Sequence, residues 1–312
     1  MKRNFIGEIL YKVLILTSTS KNFYVRKIWD KFWNILLSKF SGYAKIKIHG
    51  KLALVNLGYT YPIYIKRFPY LNTPLVELIY QTSKFKKRKI NVIDIGAAIG
   101  DTALLLNEKC KNNIEHLYCI DGDEEFSKYL KNNINQVSFA EAIITILSSN
   151  GDKTNSLIRT HSGTASAQGD EKSQSSTLDT IIINKNISQI DVVKIDVDGF
   201  DGEVLKGAIK ILEEFKPLVI FEWHPKLIID TGNNYLDHFK VLSEKKYNTF
   251  IWYNKYGYFS FITDSNSDLK KIAEISLNSK NDWHYDIVAI NNDTQIDLQK
   301  LVDLEFSHFG IV

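Results

Sequence analysis

Cysteine is scarce: Cys110 and Cys119 are the only two in 312 residues, and no CxxC spacing joins them. A disulfide framework is therefore excluded, as are the common zinc and redox-pair motifs, and a reducing compartment is expected. Five prolines leave little room for extended linkers. No run of 18 uncharged apolar residues occurs, which argues against a membrane-spanning helix. The apolar run Ile9–Leu16 behind Lys2 and Arg3 faintly resembles an export signal. However, Lys12 interrupts it and no small-x-small cleavage site follows, so a cytoplasmic location is expected. Acidic residues are almost missing from the first 90 positions, which hold 3 Asp/Glu against 18 Lys/Arg.

The remaining residues reverse that balance, with 21 Lys/Arg against 33 Asp/Glu. The basic region is thus expected to face an anionic partner, such as a membrane surface, an acidic glycan or nucleic acid, or else to dock as a solvated surface on the acidic half. Composition is that of an ordinary globular protein, 44% hydrophobic and 24% charged, and the length suits one large α/β domain plus a smaller region. Within the basic region, residues 22–40 place Phe23, Ile28, Phe32, Ile35 and Leu36 near helical spacing, with Arg26, Lys27, Lys31 and Lys39 interleaved. This predicts a basic amphipathic helix, with Trp29 and Trp33 near its polar boundary, able to lie in a lipid headgroup layer or to pack on its own domain. Alternating runs on either side of His49-Gly50 predict a β-hairpin. Lys84–Lys89 reads as a linker or an exposed helix end.

From residue 90, short apolar runs alternate with helical periods, which indicates βαβ units and a parallel sheet. Strands are expected at 90–95, 117–120, 137–147, 191–197, 217–222, 249–253 and 285–290. Residues 161–177 are rich in Ser and Gly and read as a loop. Trp252, Tyr253, Tyr256, Tyr258, Phe259 and Phe261 read as a strand pair and its core, or as a platform for a sugar ring.

Two constellations carry the chemistry. The first strand runs through Asp94 into Gly96-x3-Gly100, with Asp101 and Thr102 opening a helix. Glycine lets the backbone turn and approach a ligand there, and the helix start offers free N–H groups. The next strand ends in Asp121-Gly122, where a carboxylate can accept both hydroxyls of a ribose. A helix cap is the competing role, and Asp123 can supply that instead. The third glycine of the dinucleotide fingerprint is missing, which disfavours NAD and FAD. The second constellation, Asp191-Val-Val-Lys194-Ile-Asp196-Val-Asp198-Gly-Phe-Asp201, interrupts an apolar strand with a lysine and then opens into three acids. A buried Lys194 requires a carboxylate partner. The three acids fall at the carboxyl end of the strand, where open α/β sheets bind ligands, although capping by Asp198 or Asp201 accounts for one of them. The following strand delivers Glu222 and His224 to the same edge. A histidine among acids at a strand mouth is a candidate general base.

At this point the chain resembles the FkbM-type S-adenosylmethionine-dependent methyltransferases. The resemblance spans residues 91 to about 225 and rests on "NVIDIGAAIGDTALLL", "YCIDGDEEFSKYLKNNI", "STLDTIII" and above all "DVVKIDVDGFDGEVLKGAIKILEEFKPLVIFEWHP". It implies a class I Rossmann-like α/β fold: a seven-stranded, mostly parallel sheet with helices on both faces over residues 90–312, preceded by a basic α+β region over 1–89. It implies a cofactor loop of Asp94, Gly96, Ala98, Gly100, Asp101 and Thr102, a ribose ligand at Asp121 beside Gly122, and Ala142 next to the adenine. Two positions depart from the family's usual residues, Ala98 where Asn is common and Asp198 where Glu is common.

The implied activity is transfer of a methyl group to a hydroxyl, typically on a sugar of a surface polysaccharide or glycolipid, or on a secondary metabolite. His224 or Asp196 is the expected base, with Glu222 and Lys194 setting the surrounding charge. The three acids could instead hold Mg²⁺. The expected setting is the inner membrane face, contacted through residues 1–40. Rival readings are an RNA methyltransferase gripping phosphates with its basic region, and a binding protein without turnover. No RNA-binding module is recognisable, so a nucleic-acid partner is disfavoured.

Overall fold

Basic and apolar residues at helical spacing open the chain, and they fold as two packed helices. A computed structural model describes residues 2–152, 154–155, 158–161, 164–166, 172–264, 267–279 and 283–303. Helix α1 (Phe5–Thr17) is capped by Asn4, whose side chain accepts from the Gly7 N–H at 3.0 Å, and α2 (Phe23–Lys39) is capped by Asn22. The expected hairpin comes next as antiparallel β1 (Tyr43–Ile48) and β2 (Lys51–Asn56). Its two-residue turn places both His49 and Gly50 at positive φ, 46° and 74°, the left-handed pair whose twist suits adjoining strands. Helices α3 (Tyr61–Arg67) and α4 (Thr73–Lys86) complete the region.

The basic region shares its core with the α/β half of the chain. Tyr11, Leu36, Ile46 and Val55 pack with Ile99, Leu104, Phe126 and Tyr129, while α4 buries Leu75, Leu78 and Ile79 against the main sheet. The basic run at its end also does more than link: Lys86 and Arg88 each approach the buried Asp191 carboxylate to 2.6 Å, fixing where a central strand begins.

The main sheet has eight strands. In chain order the elements are β3 (Ile90–Ile95), α5 (Asp101–Lys109), β4 (Ile114–Asp121), α6 (Glu124–Ile134), β5 (Ala140–Ile144), α7 (Leu178–Asn184), β6 (Val192–Ile195), α8 (Asp201–Lys206), α9 (Ile209–Glu214), β7 (Leu218–Trp223), α10 (Pro225–Asp230), α11 (Asp237–Glu244), β8 (Tyr247–Asn254), β9 (Phe259–Asp264), α12 (Leu269–Leu277), β10 (Tyr285–Asn291) and α13 (Leu298–Asp303). Across the sheet the order is β9-β8-β10-β7-β6-β3-β4-β5, parallel from β5 to β7 and antiparallel beyond. Seven of these strands are the expected ones in class I methyltransferase order. The eighth, β9, extends the edge, and Trp252 and Tyr253 are fully buried beneath it, so most of that aromatic segment is a strand pair and core. The stretch expected as a loop, 161–177, lies partly outside the described residues; the described part includes short pairings of 158–161 with 164–166 and of 154–155 with 172–173. Among the described residues no helix is long and apolar enough to cross a membrane.

The order reverses between β3 and β6, each of which leads into a loop at the carboxyl edge of the sheet. Such a switch point leaves a crevice, and both sequence constellations open into it.

Candidate active site

The loop after β3 is shaped by close backbone packing. Gly96 has φ 80°, and a Cβ there would lie 1.7 Å from the Asp196 carbonyl oxygen on the facing loop. Gly96→Ala is therefore expected to cost roughly 2–5 kcal/mol, combining left-handed strain with backbone overlap, and to lower the urea midpoint accordingly. An unchanged midpoint would show that the loops part easily. Ala98 is also left-handed, φ 45°, a conformation that Asn tolerates better than Ala. Its N–H donates to Asp121 Oδ2 at 2.7 Å.

Asp121 ends β4 beside that loop, and its other oxygen accepts from the Asp123 N–H at 2.8 Å. The neighbouring Asp123 caps α6 by accepting from the Glu125 and Phe126 N–H groups, which leaves Asp121 outside the cap. Burial pushes the Asp121 carboxyl up to about 7, against the pull of the two N–H donors. Gly122 has no room for a side chain, because a Cβ would fall 2.6 Å from Ile146. Ala142 pairs with Cys119 on the adjoining strand and is half-buried. Asp101 and Thr102 open α5 but are buried. The Asp101 carboxylate accepts from the Tyr59 hydroxyl at 2.8 Å and from the Thr102 N–H at 3.0 Å, and burial raises it to about 6. Tyr59 comes from the basic region, and nothing in the local sequence announces it.

The second constellation surrounds one cation. Lys194 reaches Asp94 Oδ1 at 3.1 Å and Asp196 Oδ2 at 3.3 Å, the pairing its burial demands. Desolvation opposes its charge, yet the two carboxylates outweigh it and hold the ammonium above its ordinary range. Asp94 is wholly buried, and neither of its oxygens receives an aligned hydrogen bond among the described residues. Asp196 is the open member, with its side chain 44% exposed. Burial, followed by the charge of Asp196, raises Asp198 to about 8 and Asp201 to about 7. Asp201 also accepts from the Gly199 N–H at 3.3 Å, a structural use of one of the three acids.

Glu222 on β7 faces Asp286 on β10 in register, and its carboxylate lies 3.4 Å from His284 Nε2. Burial, reinforced by Asp196 and Asp198, lifts Glu222 well above the carboxylate range, and burial lifts Asp286 to about 7. Neither His284 nor Asp286 belongs to a motif that the sequence displays. His224 lies beside them, its ring 5.3 Å from that of His284, but its Nδ1 accepts from the Leu227 N–H at 3.2 Å and so caps α10. In its neutral form the ring then carries its proton on Nε2. Among the described residues no three acids, histidines or cysteines are placed to hold a metal ion.

The outcome is a crevice lined by Asp121, Asp196, Asp198, Glu222 and Asp286, with Asp94 buried behind it and Lys194 as the cation among them. Such a site favours a positively charged ligand and offers a carboxylate able to take a proton. Two cavities of about 320 and 430 Å³ lie elsewhere: one at the amino ends of the strands, the other between the β1–β2 turn and α5.

No curated protein matches the sequence. Among solved structures, the chain is similar to a methyltransferase FkbM from Methylobacillus flagellatus KT, with 13% identity and a TM-score of 0.43 over 90% of this chain and 58% of that one. It thus spans less than two thirds of that protein's length. It is also similar to a putative methyltransferase from Streptococcus mutans in complex with SAH (12% identity, TM-score 0.35, 65% of this chain and 89% of that one). TrmK from M. capricolum, in complex with S-adenosyl-homocysteine, shows 14% identity and a TM-score of 0.35 over 72% of each chain. The methyltransferase FkbM domain matches residues 94–249, the half of the chain that contains both constellations, and on that match this protein belongs to the FkbM methyltransferase family.

Proposed function

We propose that this protein is an S-adenosylmethionine-dependent O-methyltransferase whose acceptor is a sugar hydroxyl of a polysaccharide or glycolipid. The observation that carries the reading is the acid-lined crevice at the switch point, bordered by the Gly96–Gly100 loop and Asp121. Its residues fit the cofactor: recessed carboxylates suit a sulfonium, and Asp94 retains unused acceptor capacity. When bound, the cofactor supplies a methyl group on positively charged sulfur. In this reading Asp121 accepts the ribose hydroxyls, and the adenine lies against Ala142, which pairs with Cys119 on the next strand.

An alcohol needs a base as it attacks. Asp196 is assigned that role because it is exposed at the crevice and held by Lys194, whereas His224 spends its Nδ1 lone pair on a helix cap. Glu222 and Lys194 fix the surrounding charge. Asp196→Asn is expected to lower kcat by about 10²–10⁴ with cofactor affinity nearly unchanged, and His224→Gln to have a smaller effect. The reverse order would pass the role to His224.

Support for a sugar acceptor comes from an aromatic cluster that joins the end of α3 to the β8–β9 turn. The rings of Phe68 and Tyr256 lie 4.4 Å apart and Tyr256 lies 6.1 Å from Trp283, the residue next to His284, forming an aromatic strip on which a pyranose face can stack.

The deciding experiment is calorimetric titration with S-adenosylmethionine and with S-adenosylhomocysteine, followed by transfer of labelled methyl to isolated polysaccharide and glycolipid. Label in RNA alone would establish the RNA reading, and no cofactor binding by folded protein would overturn the proposal. The same titration carries a pH test. Asp121, Asp201 and Asp286, raised to about 7, and Asp198, raised to about 8, are partly protonated at neutral pH. A bound cation favours their ionised forms, so binding releases protons and affinity for the sulfonium rises from pH 6 to 8. The neutral sulfur of the homocysteine product should show a shallower rise. Equal slopes would remove the acids from sulfonium recognition.

A further inference from the structure

Ten of the 21 exposed large apolar side chains among the described residues lie between Phe5 and Leu37. Their pattern is regular. Helix α1 buries Gly7, Tyr11 and Leu14, spaced by four and three, while its opposite face carries Phe5, Ile6, Ile9, Val13 and Leu16, all 49–70% exposed. At 100° per residue these five fall within about 100° of arc, one continuous stripe. On helix α2, Tyr24, Ile28 and Phe32 are exposed at successive i, i+4 positions, a row that ends in the buried Leu36. The two helices are joined where Trp29 Nε1 donates to the Leu14 carbonyl at 2.8 Å.

Cations border these stripes. Arg26, Lys27 and Lys31 are exposed on α2. At the end of α1, Lys66 Nζ donates to the Leu16 carbonyl at 3.1 Å and Arg67 Nε to the Ser18 carbonyl at 3.0 Å, bringing two more charges to the interhelical turn. Residues 1–40 contain only two acids, and one of them, Glu8, is buried and bonded to Arg3 and Lys12.

We propose that the α1–α2 hairpin docks on an anionic bilayer surface, the apolar stripes entering the headgroup boundary and the cations meeting lipid phosphates. Charge selects this occupant. A second copy of the chain would set cation against cation, and nucleic acid would leave the apolar stripes in water, whereas an anionic bilayer satisfies both. The docked element is also tied to the crevice: the Tyr11 hydroxyl donates to the Tyr59 carbonyl, and the Tyr59 hydroxyl donates to Asp101 at the start of α5. Docking itself requires no particular acceptor, while its benefit to turnover rests on the glycolipid reading above.

The test uses the full chain with phosphatidylcholine vesicles, with and without phosphatidylglycerol, separated by sedimentation. Wild type is expected to bind the anionic vesicles preferentially, less so as salt rises. The triple variant Ile9→Ser, Val13→Ser, Leu16→Ser and the pair Lys27→Glu, Lys31→Glu should each reduce partitioning about tenfold or more. Both sets alter exposed side chains, so the urea midpoint and cofactor titration should stay at wild-type values. The proposal is overturned if folded wild type ignores anionic vesicles or if the variants bind as well as wild type. It is also overturned if wild type is a dimer that the triple variant converts to monomer without any vesicle binding, which makes the face a self-interface. Vesicle binding by a wild type that fails to bind cofactor would leave docking standing and refute methyl transfer.

Discussion

Asp121→Ala should weaken S-adenosylmethionine binding on the order of a hundredfold or more while leaving the fold in place. On the proposed reading the carboxylate receives two ribose hydroxyls, and hydrogen bonds to an ionised acceptor contribute about 1.5–3 kcal/mol each. It also holds the Ala98 and Asp123 N–H groups at 2.7 and 2.8 Å, so its loss loosens the glycine loop as well. The helix beyond is secured separately by Asp123. A large change in affinity with a small change in urea midpoint is therefore the expected signature. Asp121→Asn, which keeps the shape and one oxygen, should fall between the two proteins. If the alanine variant bound within threefold of wild type, the ribose would lie elsewhere.

Lys194→Met should have the largest effect on stability. It strands Asp94, 0% exposed near the carboxyl end of β3, without its cation, a loss of the kind that costs roughly 3–5 kcal/mol. The direction with pH comes from the same carboxyl. Burial already raises the Asp94 pKa in the folded protein despite the attraction of Lys194, and removing that attraction raises it further. A carboxyl whose folded pKa exceeds its unfolded value holds its proton more tightly when folded. The variant should thus be least impaired in acid and lose stability relative to wild type as pH climbs past the already raised Asp94 pKa of the wild type. Adding Asp94→Asn to Lys194→Met should recover a large part of the loss, which a double-mutant cycle in urea would measure. Wild-type stability in the single variant would mean that water reaches Asp94.

The seven strands were legible because each is an apolar run bounded by turns, and the Lys194–Asp94 contact was legible because a charge inside such a run must find a partner. Asp286 interrupts its strand in the same way, yet it carries no comparable signal. Its strand is antiparallel, so the crevice receives the beginning of β10, while attention to carboxyl ends finds only Asp196, Glu222 and their neighbours. Tyr59 was illegible for another reason: its partner Asp101 lies 42 residues away, and no local pattern encodes that distance. His224 stood out as a histidine among acids, but its use as a cap depends on the turn after it, which composition does not reveal. The eighth strand was half visible in the aromatic segment, where alternation marked a strand pair without saying that it would extend the main sheet.

The shared packing of Ile99, Leu104, Phe126 and Tyr129 with Tyr11, Leu36 and Ile46 bears on modularity. Residues 94–249, excised as a unit, would expose that apolar surface and lose the Tyr59 bond at the start of α5. Transplanting this half between relatives, or truncating the chain to it, would therefore yield an aggregation-prone fragment unless the matching basic half travelled with it. Change in one half is constrained by the other, so new acceptor preferences would arise more readily by point substitution along the crevice rim than by exchange of whole segments.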